Sequence, residues 1–385
     1  MCNRFFFARR FDDKMKRMSA LLRNRELDSL RGASILLVLL GHSVLKTYKL
    51  HPLLIPFFDA ALGVRMFFVL SGFIITSLLL REKETKGTID WKNFLLKRFS
   101  KLIPSLILLI VIVQVLNRTK AFGCSVRDYL TSLFFVSELF GIQCWPLAHT
   151  WSLSVEELFY LTWLPCMIFL TRKSVLRVLG GVVVIAPFVR SYNHLLNSHA
   201  EWFQQGLYFS IPWISHLDLI AWGSLGAFYK QSSRLKSYWG ISVLLIFGLF
   251  ATAIPFGEIS FLKWLDYLAI PFRSTVQGMT IAFLICFLVS KKQSRRSLWL
   301  INSLGYLGTI SYSLYLVQQV VIPNPYLTTT QNEWTAARSV FYFLLALGVG
   351  VLSFHLIEKP CMAFLRRKCK IPSSELIFSS GTNHR

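Results

Sequence analysis

The sequence predicts an all-α polytopic membrane protein with about ten transmembrane helices and both termini in the cytoplasm. The first observation is composition: 54% of the 385 residues are apolar, 16% are charged, and the mean hydropathy is +0.50. A water-soluble domain carries about 25% charged residues, and disordered chains are far less hydrophobic. The other two observations are the length of the apolar runs and the placement of the basic residues between them.

The apolar residues are gathered in runs long enough to cross a bilayer, which takes about 20 residues of helix. Some runs are short or contain Pro or Gly, which neighbouring helices can accommodate. We predict spans near residues 31–48, 60–80, 102–116, 151–170, 177–189, 207–228, 238–256, 272–290, 303–322 and 337–357.

The net charge of +23 comes mainly from the connections between these runs. When alternate connections are assigned to opposite sides, 32 of the 42 Lys and Arg residues fall on one side. This is the positive-inside pattern, and it places both termini in the cytoplasm. A nucleic-acid-binding protein would gather its basic residues on one module, so we exclude that partner. We predict a basic N-terminal arm (1–30), a transmembrane domain (31–357) and a cytoplasmic tail (358–385).

The seven cysteines are scattered, and none of their spacings is typical of a metal site, so we predict no bound metal. Cys124 and Cys144 both lie in the long outer connection, residues 117–150. Whether they approach closely enough for a disulfide is left open by the sequence.

Arg31 and His42 are ionisable residues in the first predicted span, where such side chains face a cavity or a partner. Eleven residues separate them, so a helix places them on nearly one face, about 16 Å apart along its axis. We expect Arg31 at the cytoplasmic rim and His42 near the middle of the bilayer. Imidazole can take and return a proton near neutral pH, which makes His42 a candidate catalytic residue. The alternative is a structural histidine bonded to a neighbouring helix.

The segment HTWSLSVEELFYL (149–161) carries a second set of polar residues. Ser152, Glu156 and Tyr160 follow at intervals of four, so they share one face of a helix. We place Glu156 one to two turns into the membrane from the outside, where it can act as a base on a hydroxyl-bearing acceptor. The alternative is a carboxylate paired with Arg65, and Glu157 is expected to face elsewhere.

Basic residues also stand at the cytoplasmic mouth of the third predicted span, in LLKRFSKLIPS. Arg98 and Lys101, at i and i+3, can hold phosphate groups, Arg98 by its planar fork and Lys101 as a point charge. The alternative is a topological anchor. Tyr315, in ISYSLYLVQQ, shares a helix face with Ser311 and precedes two glutamines, a pattern typical of interhelical hydrogen bonding.

Taken in order, these segments resemble the motifs of the acyltransferase-3 family of integral-membrane acyltransferases. LDSLRGASILLVLLGH resembles its opening motif, a basic residue followed eleven positions later by histidine. GVRMFFVLSGFIIT resembles its second-span motif, KRFSKLIP its basic-plus-proline motif, and WSLSVEELFY its outer motif. ISYSLYL and SFHLIEKP resemble the two C-terminal signatures, so the resemblance runs from about Leu27 to Pro360.

The resemblance implies transfer of an acyl group, usually acetyl, from a cytoplasmic acyl-CoA to a hydroxyl of a cell-surface polysaccharide or lipid-linked sugar. It implies that Arg31 and His42 are the essential pair. We therefore predict His42 as base or acyl carrier, with Glu156 positioning or deprotonating the acceptor. The donor is acetyl-CoA or another acyl-CoA, with no permanently bound cofactor. The residues predicted to contact the donor are Arg31, Arg98 and Lys101, and those predicted to contact the acceptor are Arg65, Ser152, Tyr160 and Tyr315.

The sequence departs from the family pattern at three positions. Lys101 stands where Arg is frequent, which removes the bidentate fork. Gln318 lies near a position often taken by His, so no acid–base role is carried over there. His216 stands where many members have Arg. We also see no appended extracytoplasmic hydrolase-like domain and expect any second transfer step to need a separate protein.

A proton-coupled transporter or flippase of a glycan or small metabolite is the alternative from another class, because buried His, Arg and Glu also form proton pathways. A structural membrane protein gives no reason for Arg31 and His42 to share a face. We expect an integral protein of the bacterial inner (cytoplasmic) membrane, with donor, glycan acceptor and lipid as partners. The sugar, the hydroxyl, the acyl chain, a covalent intermediate and a homo-oligomer are left open.

Overall fold

The computed structural model of the protein describes residues 25–44, 57–118, 122–197, 213–229, 263–290, 298–324 and 336–368. Every regular element among these residues is helical, as predicted. The α-helices are α1 Arg25–Val44, α2 Ala60–Lys86, α3 Trp91–Asn117, α4 Val126–Leu133, α5 Ser137–Phe140, α6 Trp145–Ala148, α7 Thr150–Phe169, α8 Arg172–Asn197, α9 Leu217–Tyr229, α10 Lys263–Ser290, α11 Leu298–Thr309, α12 Ser311–Val321, α13 Ala336–Ser353 and α14 Lys359–Lys368. A 3₁₀ turn (Trp213–His216) precedes α9, and a π-helical turn (Phe354–Glu358) joins α13 to α14.

Five helices in the described ranges are long and apolar enough to cross a membrane. They are Ala60–Lys86, Trp91–Asn117, Arg172–Tyr192, Phe272–Val289 and Ala336–Phe364. These helices coincide with five of the predicted spans, and they identify an integral membrane protein. The predicted span at 238–256, most of the N-terminal arm and most of the C-terminal tail lie outside the described residues. The total of about ten spans and the sides of the termini therefore stay predictions.

The helix α2 is the centre of the bundle. In its apolar window 67% of the residues are buried, against 17% to 39% in the other four candidate spans. It packs against α1, α9 and α10. Asp59 caps its first turn by accepting a hydrogen bond from the backbone N–H of Ala61 at 2.9 Å. A central α2 means that the polar side chains it carries face other helices and not lipid.

The crossing of α2 and α9 depends on two glycines. A Cβ atom on Gly72 would lie 2.0 Å from the carbonyl oxygen of Ile220, and one on Gly223 would lie 1.9 Å from the carbonyl oxygen of Val69. Neither position has room for a side chain, so the two backbones are in direct contact. Small residues commonly permit this close approach in membrane helices.

The pairing of α1 with α2 fixes the heights of the polar residues on α1. Gly41 lies against Ala60, because a Cβ on Gly41 would be 2.5 Å from the Ala60 nitrogen. Gly63 in turn lies against Val38 and Ser34. The helices are therefore antiparallel, and the residue after Gly41 lies beside the first turn of α2.

The outer connection 117–150 folds into the three short helices α4, α5 and α6. A disulfide joins Cys124 to Cys144, with 4.7 Å between their Cα atoms, which answers the question left open by the sequence. Asp128 is buried and accepts hydrogen bonds from the backbone N–H groups of Ser125 and Gln143. These contacts join the beginning of the segment to its later part.

Candidate active site

A cavity opens between α1, α2, α3, α7 and α12. Its volume, counted with its open mouth, is about 900 Å³. Seven of the nine predicted site residues line it, and the two that do not are His42 and Arg65. The polar side chains in its wall are Arg31, Ser71, Arg98, Lys101, Ser152, Glu156, Tyr160, Ser311, Tyr312 and Tyr315.

The polar residues predicted to share one face of α7 lie in the wall of this cavity. Ser152, Glu156 and Tyr160 all line it, which confirms the prediction that they share one helix face. Tyr315 and Ser311 line it from α12, as the spacing between them also indicated. Two helices distant in sequence therefore present hydroxyl groups to one space.

Glu156 lies at the centre of a buried ionic cluster. Its Oε2 accepts a hydrogen bond from the Arg98 guanidinium at 3.3 Å, and its Oε1 accepts one from Ser71 at 2.9 Å. The Arg98 Nε also donates to Glu157 Oε1 at 2.6 Å. The guanidinium lies 3.8 Å from the centre of the Tyr160 ring, as in a cation–π contact. One buried cation thus holds two neighbouring carboxylates.

This cluster identifies the partners of the two acidic residues and excludes the alternative pairing of Glu156 with Arg65. Glu156 is paired with Arg98 and not with Arg65, whose guanidinium donates to Gln277 at 2.8 Å and lies 3.7 Å from Asp59. Glu157 is not among the residues that line the cavity, as expected for a side chain that faces elsewhere, yet it binds the same guanidinium as Glu156. Neighbouring residues on a helix point about 100° apart, and the long Arg98 side chain lies between them.

Arg31 and Lys101 form a basic end of the cavity, beside Arg98. Arg31 lies 3.8 Å from Asp28, one turn earlier on α1. Lys101 interacts electrostatically with Glu358, Arg31 and Arg98. Because Arg98 is bound by two carboxylates, its charge is largely compensated inside the protein. Arg31 and Lys101 line the same cavity and add two more positive charges to its wall.

His42 lies close to α12 and outside the set of side chains that line the cavity. Its Nδ1 is 2.7 Å from Gln318 Oε1, and its ring is 5.9 Å from that of Trp145. An amide oxygen only accepts hydrogen bonds, so Nδ1 carries the proton and Nε2 keeps its lone pair. His42 follows Gly41 at the first turn of α2, so it lies near an end of that span and not at the expected middle.

Tyr315 lies between the cavity and a second histidine. Its hydroxyl is 2.6 Å from Ser152 Oγ and donates to the backbone oxygen of His149 at 3.1 Å. The His149 ring packs edge-on against Tyr315, and its Nδ1 lies 3.0 Å from Gln319 Oε1. Sequence reasoning missed His149, although it lies three residues before Ser152 and so on the same face.

No metal site accompanies this arrangement in the part of the chain that the structure describes. There, no group of three or more His, Cys, Asp or Glu side chains is arranged to hold a metal ion. The chemistry available at the site comes from imidazole, carboxylate, hydroxyl and cationic side chains.

The chain is similar in sequence to known bacterial O-acetyltransferases. The peptidoglycan O-acetyltransferase OatA of Listeria monocytogenes is 24% identical to the chain in an alignment of 367 positions that covers 87% of this chain and 55% of that protein. The O-acetyltransferase OatA of Staphylococcus aureus is 36% identical in an alignment of 129 positions that covers 29% of this chain and 21% of that protein. The chain thus spans about half the length of the Listeria relative. No solved structure matches it.

The match to a protein family covers most of the chain. The profile of the family described as an acyltransferase domain matches residues 24–355, which include the cavity, His42 and His149. The motifs that suggested a resemblance all begin within this range, and only the end of SFHLIEKP lies beyond it. The chain therefore belongs to the acyltransferase-3 family.

Proposed function

We propose that the protein is a membrane O-acetyltransferase that moves an acetyl group from acetyl-CoA to a hydroxyl of a cell-surface polysaccharide or lipid-linked sugar. The observation that carries this proposal is the polarity of the site. Arg31 and Lys101 line the cavity, and so do Ser152 and Tyr315, whose hydroxyl groups contact each other and the backbone of His149. A donor with an anionic head and a reactive thioester end fits a cavity that presents both kinds of group.

The donor binds along α1 in this proposal. Arg31 and Lys101 hold the phosphate groups of the coenzyme, since both line the cavity. His42 lies about 16 Å further along the same helix, so the pantetheine arm of the donor extends toward it. Arg98 serves the site indirectly by fixing Glu156 in the wall.

His42 carries the chemistry. The hydrogen bond to Gln318 fixes the tautomer with Nδ1 protonated, which leaves Nε2 to receive either a proton or the acyl group. Holding the imidazole in one orientation is the usual task of such a partner in histidine catalysis. Gln318 is neutral, so it orients the ring without adding a negative charge.

The acceptor sugar binds among hydroxyl and carboxylate groups. Ser152, Tyr160 and Tyr315 line the cavity together with Glu156. Glu156 is engaged with Arg98 and Ser71, so we assign it to orienting the acceptor by hydrogen bonds. Arg65 lies outside the lining of the cavity, where it binds Gln277, and so contacts only a part of the acceptor that extends beyond it.

The test is acetyl transfer by the full chain purified into liposomes, with radiolabelled acetyl-CoA and a mixture of bacterial glycan fragments. The wild-type protein should transfer label to glycan and release free CoA. The His42→Ala protein, at equal amount in the membrane, should lose at least about 100-fold in rate, the usual contribution of a positioned acid–base residue. Movement of the glycan across the membrane without CoA release would contradict the proposal and favour a transporter.

A further inference from the structure

His149 is a buried imidazole that the proposed function does not yet use. Its side chain is 2% exposed, and it stands directly before α7. Gln319 Oε1 accepts hydrogen bonds both from the backbone N–H of His149 at 2.8 Å and from its Nδ1 at 3.0 Å. This pairing places the proton on Nδ1, because an amide oxygen only accepts.

The other ring nitrogen of His149 has no hydrogen-bond partner. Its Nε2 is one of the few buried side-chain atoms in the described ranges that lack one. With Nδ1 protonated, Nε2 is a lone-pair acceptor that awaits a donor. Buried polar atoms are nearly always satisfied, so an unsatisfied one calls for a ligand or a chemical role. A hydroxyl group of a substrate is the kind of donor that would satisfy it.

Two histidine–glutamine pairs in this region have the same arrangement. Gln318 and Gln319 are consecutive in α12, and each fixes the Nδ1-protonated tautomer of one histidine, His42 in the first case and His149 in the second. The two imidazoles are close enough to interact electrostatically. The two imidazoles therefore share one tautomer and are held by consecutive residues of α12.

The position of His149 connects it to the cavity. Its backbone oxygen accepts from Tyr315, and its ring centre lies 5.2 Å from that of Tyr315. Tyr315 and its partner Ser152 both line the cavity. His149 thus lies directly behind the wall at the hydroxyl-rich end, where the acceptor is proposed to bind.

Resting on the proposed function, we infer that His149 is the base for the acceptor hydroxyl and that His42 is the acyl carrier. First, His42 Nε2 attacks the thioester carbon, the C–S bond breaks, and CoA leaves as a thiolate. Then the acceptor oxygen attacks the acyl-imidazole carbon while its proton passes to His149 Nε2. The C–N bond breaks and its electron pair returns to His42. His149 finally releases the proton, which balances the proton taken up by the thiolate.

The experiment separates the two steps in the full chain in liposomes. Exchange of labelled CoA into acetyl-CoA needs only the first step, whereas transfer to glycan needs both. His149→Ala should keep exchange within about threefold of wild type and lose transfer by 100-fold or more. Added imidazole should restore part of that transfer. His42→Ala should lose both activities, and His355→Ala, at an exposed histidine, should lose neither.

A second variant covers the case in which His149→Ala does not fold. Gln319→Glu keeps the acceptor oxygen but places a carboxylate on Nδ1, which makes Nε2 more basic. At low pH the base is protonated and inactive, so the rate of transfer falls. In Gln319→Glu this acidic limb of the pH–rate profile should move to higher pH by about one unit. A purely structural histidine would leave that limb in place.

Three results would overturn the inference. One is transfer by His149→Ala within threefold of wild type, and another is equal loss of exchange and transfer in a His149→Ala protein that melts at the wild-type temperature. The third is a Gln319→Glu protein whose acidic limb is unmoved. A wild-type protein that neither exchanges nor transfers would instead contradict the proposed function, and the inference with it.

Discussion

The guanidinium of Arg98 in α3 donates a hydrogen bond to the carboxylate of Glu156 in α7 at 3.3 Å. The sequence placed the first of these residues at the cytoplasmic mouth of one span and the second in the outer half of another. Since the two side chains touch, the expected donor site and the expected acceptor site are parts of one cavity. The contact also means that the two depths expected from the sequence do not both hold, because side chains near opposite faces of a bilayer would not meet.

The ion pair between Arg98 and Glu157 should matter for stability. Glu157 is 4% exposed, and it would be left buried without its cation in Arg98→Gln. Breaking a buried pair costs about 3–5 kcal/mol. We expect a clear fall in Tm of the detergent-purified protein. Lys92→Gln removes an exposed charge from the same helix and should change stability by less than about 0.5 kcal/mol. Equal Tm values for the two variants would contradict the assignment.

Gln318 should affect catalysis more than folding. Gln318→Leu removes the oxygen that fixes the His42 tautomer, so part of the population carries the proton on the reactive nitrogen. We expect kcat for acetyl transfer to fall about 10- to 100-fold, as for other partners that orient a functional imidazole. The KM for acetyl-CoA should stay near the wild-type value because the phosphate-binding end is untouched. A changed KM with normal kcat would refute this role.

The contact between α2 and α9 can be tested with one glycine substitution inside it and one matched glycine substitution elsewhere. Gly72→Ala would place a methyl group 2.0 Å from the Ile220 oxygen and force the helices apart. Overpacking of this kind costs about 1–3 kcal/mol. Gly180→Ala, in α8, has nothing within 4 Å and should be neutral or slightly stabilising. Thermal unfolding of both variants checks the prediction, which fails if Gly72→Ala is as stable as Gly180→Ala.

The disulfide between Cys124 and Cys144 should stabilise the outer connection. The two cysteines are 20 residues apart, and a loop of that size is stabilised by about 3 kcal/mol. The double variant Cys124→Ser/Cys144→Ser should therefore melt at a lower temperature, whereas Cys166→Ser, which removes a free thiol, should not. In spheroplasts, a membrane-impermeant maleimide should label Cys124 and Cys144 only after reduction. Labelling without reductant would exclude the bond.

Much of the fold could be predicted from the sequence because it depends on local patterns. Apolar runs located the candidate spans, and the four-residue spacing of Ser152, Glu156 and Tyr160 correctly indicated a shared helix face. Such patterns depend only on helix geometry. They need no knowledge of which helices are neighbours.

The remaining features of the site depend on which helices are neighbours and at what height they meet, and local sequence patterns do not give this. The height of His42 follows from the contact between Gly41 and Ala60, two residues on different helices. The pairing of Arg98 with both carboxylates likewise requires α3 and α7 to be adjacent. His149 was missed because its importance comes from Gln319, which lies 170 residues away.

One donor molecule is proposed to extend along α1 from Arg31 toward His42. The most direct test is a structure of the full chain bound to a non-hydrolysable acetyl-CoA analogue. The claim predicts phosphate groups against Arg31 and Lys101, with the sulfur position near Tyr315 and pointing toward His42. A coenzyme bound outside this cavity, or with its phosphates at the histidine end, would contradict it.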